Sequence, residues 1–168
     1  MTDNPKLFIF SGLPGAGKTT LAKELARSIG AVYLRIDSIE QALASSTLKI
    51  TKAEDAGYKA AFHIAEDNLA LGHSVVGDSV NPIELTRSAW RQVAINAKAH
   101  PIDILVSCSD VSVRLQRLAK RTDGDKEKLK RLMERDFDPF TQPDITLDTS
   151  DLTLEAAKAK LLQLLGLD

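Results

Sequence analysis

The stretch "GLPGAGKT" places Gly12, Gly17, Lys18 and Thr19 in the spacing G-x-x-x-x-G-K-[ST]. These residue types can cradle a chain of phosphates. Glycines let the loop fold back and bring backbone N–H groups against phosphate oxygens, where a Cβ would obstruct the approach. The expected contacts of the loop are Gly12, Pro14, Gly15, Ala16, Gly17, Lys18, Thr19 and Thr20. Lys18 is expected to bridge the β- and γ-phosphates and the Thr19 hydroxyl to ligate Mg²⁺, with Thr20 a contact to the α-phosphate. The segment that follows reads as an amphipathic helix, whose N-terminal partial positive charge points at the same anion.

Two acids fall where they can serve such a site. Asp37 closes "YLRID" and Asp78 closes "SVVGD", each at the carboxyl end of an expected strand, the edge where ligands sit in open parallel sheets. Asp78 has the setting of a Walker B aspartate holding Mg²⁺; the structural alternative is a turn aspartate without a metal. Asp37 can accept a proton from a hydroxyl nucleophile. The competing reading is helix capping, since "DSIE" and "SIEQ" both resemble capping boxes.

A third group is basic. In "VSVRLQRLAKRTDG", Arg114, Arg117 and Arg121 recur at spacings of three and four, which lines them along one side of a helix opposite Val111, Leu115 and Leu118. Nine of the 22 basic residues lie between Arg114 and Arg135, with four acids among them, so a local cationic face exists despite a formal net charge of −1. A solvated helix face is the usual meaning of such a run. Its place after the fourth expected strand instead allows Arg117 and Arg121 to clamp a transferring phosphoryl group, with Arg114 a weaker candidate.

The elements that must position these groups alternate regularly. Strands are expected at 6–11, 31–36, 73–78, 102–108 and 144–148, and helices at about 17–29, 38–45, 52–71, 83–99, 111–121, 126–135 and 153–165. The first, third and fourth strands are nearly continuous apolar runs, as strands buried on both faces are. That alternation predicts an α/β layer sandwich around a five-stranded parallel sheet. In "NPIE", Asn81 is read as a helix cap, followed by Pro in the first turn and Glu84 three residues on.

Bulk properties exclude several classes. Hydrophobic residues are 43% and charged residues 27% of 168, a globular rather than disordered composition. The near-neutral charge gives no global field toward nucleic acid or acidic lipid. One cysteine, Cys108, permits neither an internal disulfide nor a cysteine-based zinc site. The amino-terminal residues carry no secretory pattern. The resulting expectation is a cytoplasmic domain, monomeric by default, with no membrane partner.

The ordered series "GLPGAGKTTLA", "YLRIDSIEQAL", "SVVGDSVN", "VRLQRLAKR" and "ITLDTSDLTLEAA" resembles small P-loop kinases, a group that includes phage-type polynucleotide 5′-hydroxyl kinases, chloramphenicol phosphotransferase and zeta-type toxin kinases. The resemblance spans nearly the whole chain. It implies a P-loop NTPase fold, a three-layer α/β/α sandwich in a single domain over 1–168, with a small helical lid at about 114–140. It also implies ATP and Mg²⁺ as cofactors, Asp37 as general base, and Arg117 and Arg121 as lid arginines. Leu147–Ser150 would lie near the nucleotide base.

The acceptor implied is a hydroxyl on a small molecule. A long nucleic acid is disfavoured, because no extended basic stripe accompanies the motifs. Arg35, Ser79, Asn81, Arg87 and Trp90 are candidate acceptor walls, with core packing the plainer reading for Trp90. A nucleotide-hydrolysing switch or ATPase and a 5′-hydroxyl polynucleotide kinase remain the alternatives. His63, His73 and His100 show no metal-like spacing, and Cys108 reads as a small packing residue.

Overall fold

The structure is a computed structural model that describes residues 4–167. Alternation of strands and helices runs through it as β1 (Lys6–Ser11), α1 (Lys18–Ile29), β2 (Val32–Arg35), α2 (Ile36–Ser45), α3 (Ala56–Ala70), β3 (Val75–Asp78), α4 (Glu84–Asn96), β4 (His100–Ser107), α5 (Val111–Thr122), α6 (Lys126–Met133), β5 (Ile145–Asp148) and α7 (Leu154–Leu164). The five strands form one parallel sheet in the order β2-β3-β1-β4-β5. β1 is central, with Phe8 level with Val76 on one side and Ile102 on the other.

The apolar run of β1 has a direct physical use. Successive side chains of a strand point to opposite faces. Phe8 and Phe10 enter a core with Leu21, Leu25, Val106 and Leu161, covered by α1 and α7. Leu7 and Ile9 enter a second core with Leu69, Trp90 and Val93, covered by α3 and α4. All four β1 side chains are at most 1% exposed, each contributing roughly 1.5–3 kcal/mol of burial. Trp90 is fully buried and stands edge-on to Phe62. Its ring leaves so little space that a Cβ at Gly77 would come within 3.0 Å, which accounts for glycine inside β3.

Sequence expectation and structure agree on every strand and helix, with instructive differences at the ends. β4 begins at His100, because His100 and Pro101 already pair with Lys6 and Leu7. α3 starts only at Ala56 and α6 stops at Met133, so Arg135 lies in the connection beyond the helix. Asn81 is not a helix cap. It is fully buried at φ 47°, and its amide donates to the Phe10 carbonyl and the Ser11 hydroxyl, both 3.1 Å away. Tying β1 to the end of β3 gives that amide buried partners, and α4 begins at Glu84 without a side-chain cap.

α5 is rotated relative to the expected stripe. Leu118 is buried, but Val111 and Leu115 are 61% and 42% exposed. Arg114 and Arg117 face inward instead: the Arg114 stem packs beside Gly15 and its guanidinium donates to the Met133 carbonyl, while Arg117 donates to the carbonyls of Gly15 and Thr149. Among the described residues no helix is long and apolar enough to cross a membrane.

Candidate active site

The loop between β1 and α1 is shaped by contacts that exclude side chains. Gly12 has φ 140°, and a Cβ there would lie 2.0 Å from the Val106 carbonyl oxygen. Gly15 has φ 84°, and a Cβ there would meet Arg114 Cγ and Leu118 Cγ at 2.9 Å. The loop therefore lies directly on β4 and α5. Two of its predicted contact residues shape it rather than line it. The Gly12 amide donates to the Val80 carbonyl at 3.1 Å, and Ala16 is fully buried.

Two cavities open on either side of the first turn of α1. The larger, about 320 Å³, is lined by Gly15, Gly17, Thr20, Arg117, Thr149 and Leu152, among others. The smaller, about 110 Å³, is lined by Pro14, Asp37, Asp78, Ser79, Leu132 and Arg135, among others. Lys18, Thr19 and Arg121 border both. The predicted residues thus sort themselves: backbone, hydroxyls and Arg117 on one side, carboxylates on the other, and three residues between.

Lys18 is 7% exposed and donates from Nζ to the Leu13 carbonyl at 3.0 Å. Burial pushes its pKa from 10.5 down to about 8, against the opposing charges of Asp78 and Asp37. A buried ammonium with one carbonyl partner out of three donor positions is a receptor for anionic oxygen.

Asp78 is 3% exposed and accepts from the Tyr33 hydroxyl at 2.7 Å, with Arg35 Nε 3.8 Å away. Burial and the Asp78 charge push the Tyr33 pKa upward, so its hydroxyl stays a donor. Asp37 is not a helix cap: α2 has no side-chain cap, and Asp37 lies inside its first turn. Its Oδ2 is 2.9 Å from Arg35 Nη2 and 3.6 Å from Arg121 Nη2. Arg35 thus stands between both acids and holds them apart from each other's charge.

The Thr19 hydroxyl and the Asp78 carboxylate line the same cavity. One carboxylate and one hydroxyl, completed by phosphate oxygens and water, form a donor set that suits Mg²⁺. Among the described residues no group of three or more His, Cys, Asp or Glu side chains forms a metal cluster, so phosphate would have to complete any such site.

The three arginines of α5 differ in what they hold. Arg117 donates to Thr149 Oγ1 at 2.8 Å and to the Thr149 carbonyl at 2.9 Å, while Thr149 Oγ1 donates to the Ala16 carbonyl at 2.8 Å. This chain ties α5, the phosphate loop and the end of β5 together. Arg114 donates to the Met133 carbonyl at 3.1 Å and so joins α5 to α6. Arg121, half-exposed, is the arginine that reaches Asp37.

A family described as an AAA domain matches residues 7–140. The chain belongs to that family. No curated protein matches it. Among solved structures, the APS kinase of Mycobacterium tuberculosis in complex with AMPPNP and APS superposes with a TM-score of 0.75 at 18% identity, covering 97% of this chain and 98% of the other. A gluconokinase from Sinorhizobium meliloti superposes with a TM-score of 0.69 at 18% identity, covering 97% and 93%. These likenesses place the fold as an α/β P-loop NTPase of the kind found in kinases. They bear on that fold as a whole and do not single out the polynucleotide, chloramphenicol or zeta-type groups.

Several residues of the site were not singled out from sequence. Tyr33 is one, although period-two alternation puts it on the same face as Arg35, opposite Asp78 in the sheet register. Arg135 is another; it counted only as part of a basic run. Three expected acceptor walls are structural: Asn81 is the fully buried tie between β1 and β3. Trp90 is core, and Arg87 is 1% exposed, donating to the carbonyls of Asn81, Pro82, Asp138 and Pro139. Phe137 and Phe140 sandwich its guanidinium at 4.8 and 4.4 Å. Those contacts consume its donors, so Arg87 anchors the segment after α6 and does not face a ligand.

Proposed function

We propose that the protein is an ATP-dependent phosphotransferase that moves the γ-phosphate of Mg-ATP to a hydroxyl of a small-molecule acceptor. The observation that carries this reading is the meeting of two cavities at Lys18, Thr19 and Arg121, with the phosphate loop on one side and Asp37 on the other. The solved kinases with this fold, one holding AMPPNP and APS, add support from their names.

In this reading the larger cavity takes the nucleotide, and residues 1–168 act as one domain with a lid at about 114–140. Mg²⁺ held at Thr19 and Asp78 would supply charge neutralisation to the phosphates. Lys18 and Arg121 stabilise charge on the transferring group as the acceptor oxygen bonds to phosphorus and the bond to the β–γ bridging oxygen breaks, releasing ADP. The acceptor proton passes to an Asp37 oxygen. Tyr33 and Arg35 fix Asp78 so that the two acids keep separate tasks.

Asp37→Asn separates these roles. The variant keeps its fold and its ATP affinity, while phosphoryl transfer falls about 10²–10⁴-fold. Native transfer rates in the variant would remove Asp37 as base.

A further inference from the structure

Asp78 closes β3 and is 3% exposed, yet it lines the smaller cavity together with Thr19. Parallel pairing of β2 with β3 sets Arg35 level with Asp78 and Tyr33 level with Val76. Tyr33 and Arg35 lie two apart on β2, so their side chains leave the same face of the sheet. From there the Tyr33 hydroxyl donates to Asp78 Oδ2 at 2.7 Å, and Arg35 Nε stands 3.8 Å from the same oxygen. Both partners therefore act on one oxygen. Asp78 Oδ1 accepts no hydrogen bond from a described residue, and it is not sealed from solvent.

The two partners are not equivalent. At 3.8 Å Arg35 makes an ionic contact with Asp78 but no hydrogen bond, and its Nη2 is given to Asp37 at 2.9 Å. Tyr33 is the one hydrogen-bond donor to Asp78 among the described residues. Its ring packs against the core under α1 that includes Phe8 and Leu25. A rigid ring with two side-chain torsions, held in this way, delivers its hydroxyl to one place. The bond is not needed to join the strands, since the backbone ladder already runs Val32–Arg35 against Val75–Asp78.

We infer that Tyr33 is a positioning residue for the divalent cation of the nucleotide complex. By holding Oδ2, it leaves Oδ1 as the oxygen that Asp78 offers to the cation. Without the hydroxyl, Arg35 is the nearest remaining partner, and either carboxylate oxygen can turn to it. The inference rests on the phosphotransferase reading only as far as Mg-ATP binding; no acceptor enters it. Partners that orient metal ligands typically carry about 10–100-fold in metal affinity. With the carboxylate intact and Arg35 still beside it, the low end applies.

Calorimetry of AMPPNP binding to the full chain, with Mg²⁺ and with EDTA, reads this without turnover. The ratio of the two Kd values measures the coupling between cation and nucleotide. Tyr33→Phe keeps the ring and its packing and removes only the hydroxyl. Asp78→Asn sets the ratio left when the carboxylate is gone. The ratio should be highest for the native protein and lowest for Asp78→Asn, with Tyr33→Phe between them and up to about tenfold below native. The Kd of Tyr33→Phe in EDTA should stay within about twofold of native, which also shows that the variant folds.

A native ratio in Tyr33→Phe, with that of Asp78→Asn lowered, overturns the Tyr33 assignment and leaves the cation at Asp78. Equal loss of affinity in both arms makes Tyr33 a structural residue and overturns it too. A native ratio in both variants removes the cation from Asp78, and the role of Tyr33 with it. No AMPPNP binding by the native protein in either arm overturns the phosphotransferase reading itself and this inference with it.

Discussion

Replacing Lys18 with methionine removes a buried cation while keeping the length of its stem. Burial lowers the Lys18 pKa from 10.5 in the unfolded chain to about 8. That difference corresponds to roughly 3 kcal/mol by which the folded state disfavours the charge. The substitution also strips the Leu13 carbonyl of its donor at 3.0 Å, costing about 1 kcal/mol. The nucleotide-free Lys18→Met protein should therefore be more stable than the native one by roughly 2 kcal/mol at pH 7, raising Tm by about 4–8 °C. It should also lose phosphoryl transfer.

The sign has a pH signature. Below pH 8 both states of the native protein hold the proton and the full penalty applies. Between pH 8 and 10.5 the unfolded chain keeps a proton that the folded one has released, so native stability rises with pH relative to the variant. Urea unfolding of both proteins across this range, with native CD as the folding check, should show the gap closing toward pH 10.5. A variant less stable than native at pH 7, or a gap independent of pH, would refute the reasoning.

Thr149→Val breaks the link among Arg117, Thr149 and Ala16. It should lower stability by roughly 1–2 kcal/mol and weaken ATP binding several-fold, read by urea unfolding and calorimetry. Arg87→Met strips the carbonyls of Asn81, Asp138 and Pro139 of their donor, while Pro82 keeps the Asp138 amide, and should cost roughly 3 kcal/mol or more, with added protease cleavage near Phe137 as the local readout.

The fold was legible because its signals are local. Apolar runs in β1, β3 and β4 and the glycine pattern at Gly12–Gly17 each follow from backbone sterics and burial over a few residues. That Asp37 and Asp78 meet at one edge of the sheet was legible from their places at strand ends. What escaped depends on long-range partners. Whether Asn81 caps a helix or ties β1 to β3 is decided by Phe10 and Ser11, 71 and 70 residues away. The inward face of α5 is set by carbonyls of the phosphate loop and the β5–α7 connection, which override the apolar stripe of Val111 and Leu115. Arg87 read as an acceptor wall in sequence, because the aromatic pair that buries it, Phe137 and Phe140, lies some fifty residues on.

The most direct test of the central claim follows the γ-phosphate itself. Purified protein is incubated with Mg-ATP labelled at the γ-position, alone and with a deproteinised mixture of hydroxylated metabolites, and every labelled product is resolved by mass. The account predicts little inorganic phosphate without acceptor, and with acceptor one labelled phosphomonoester formed in equal number to ADP. Label appearing as inorganic phosphate at the same rate in both arms would contradict it.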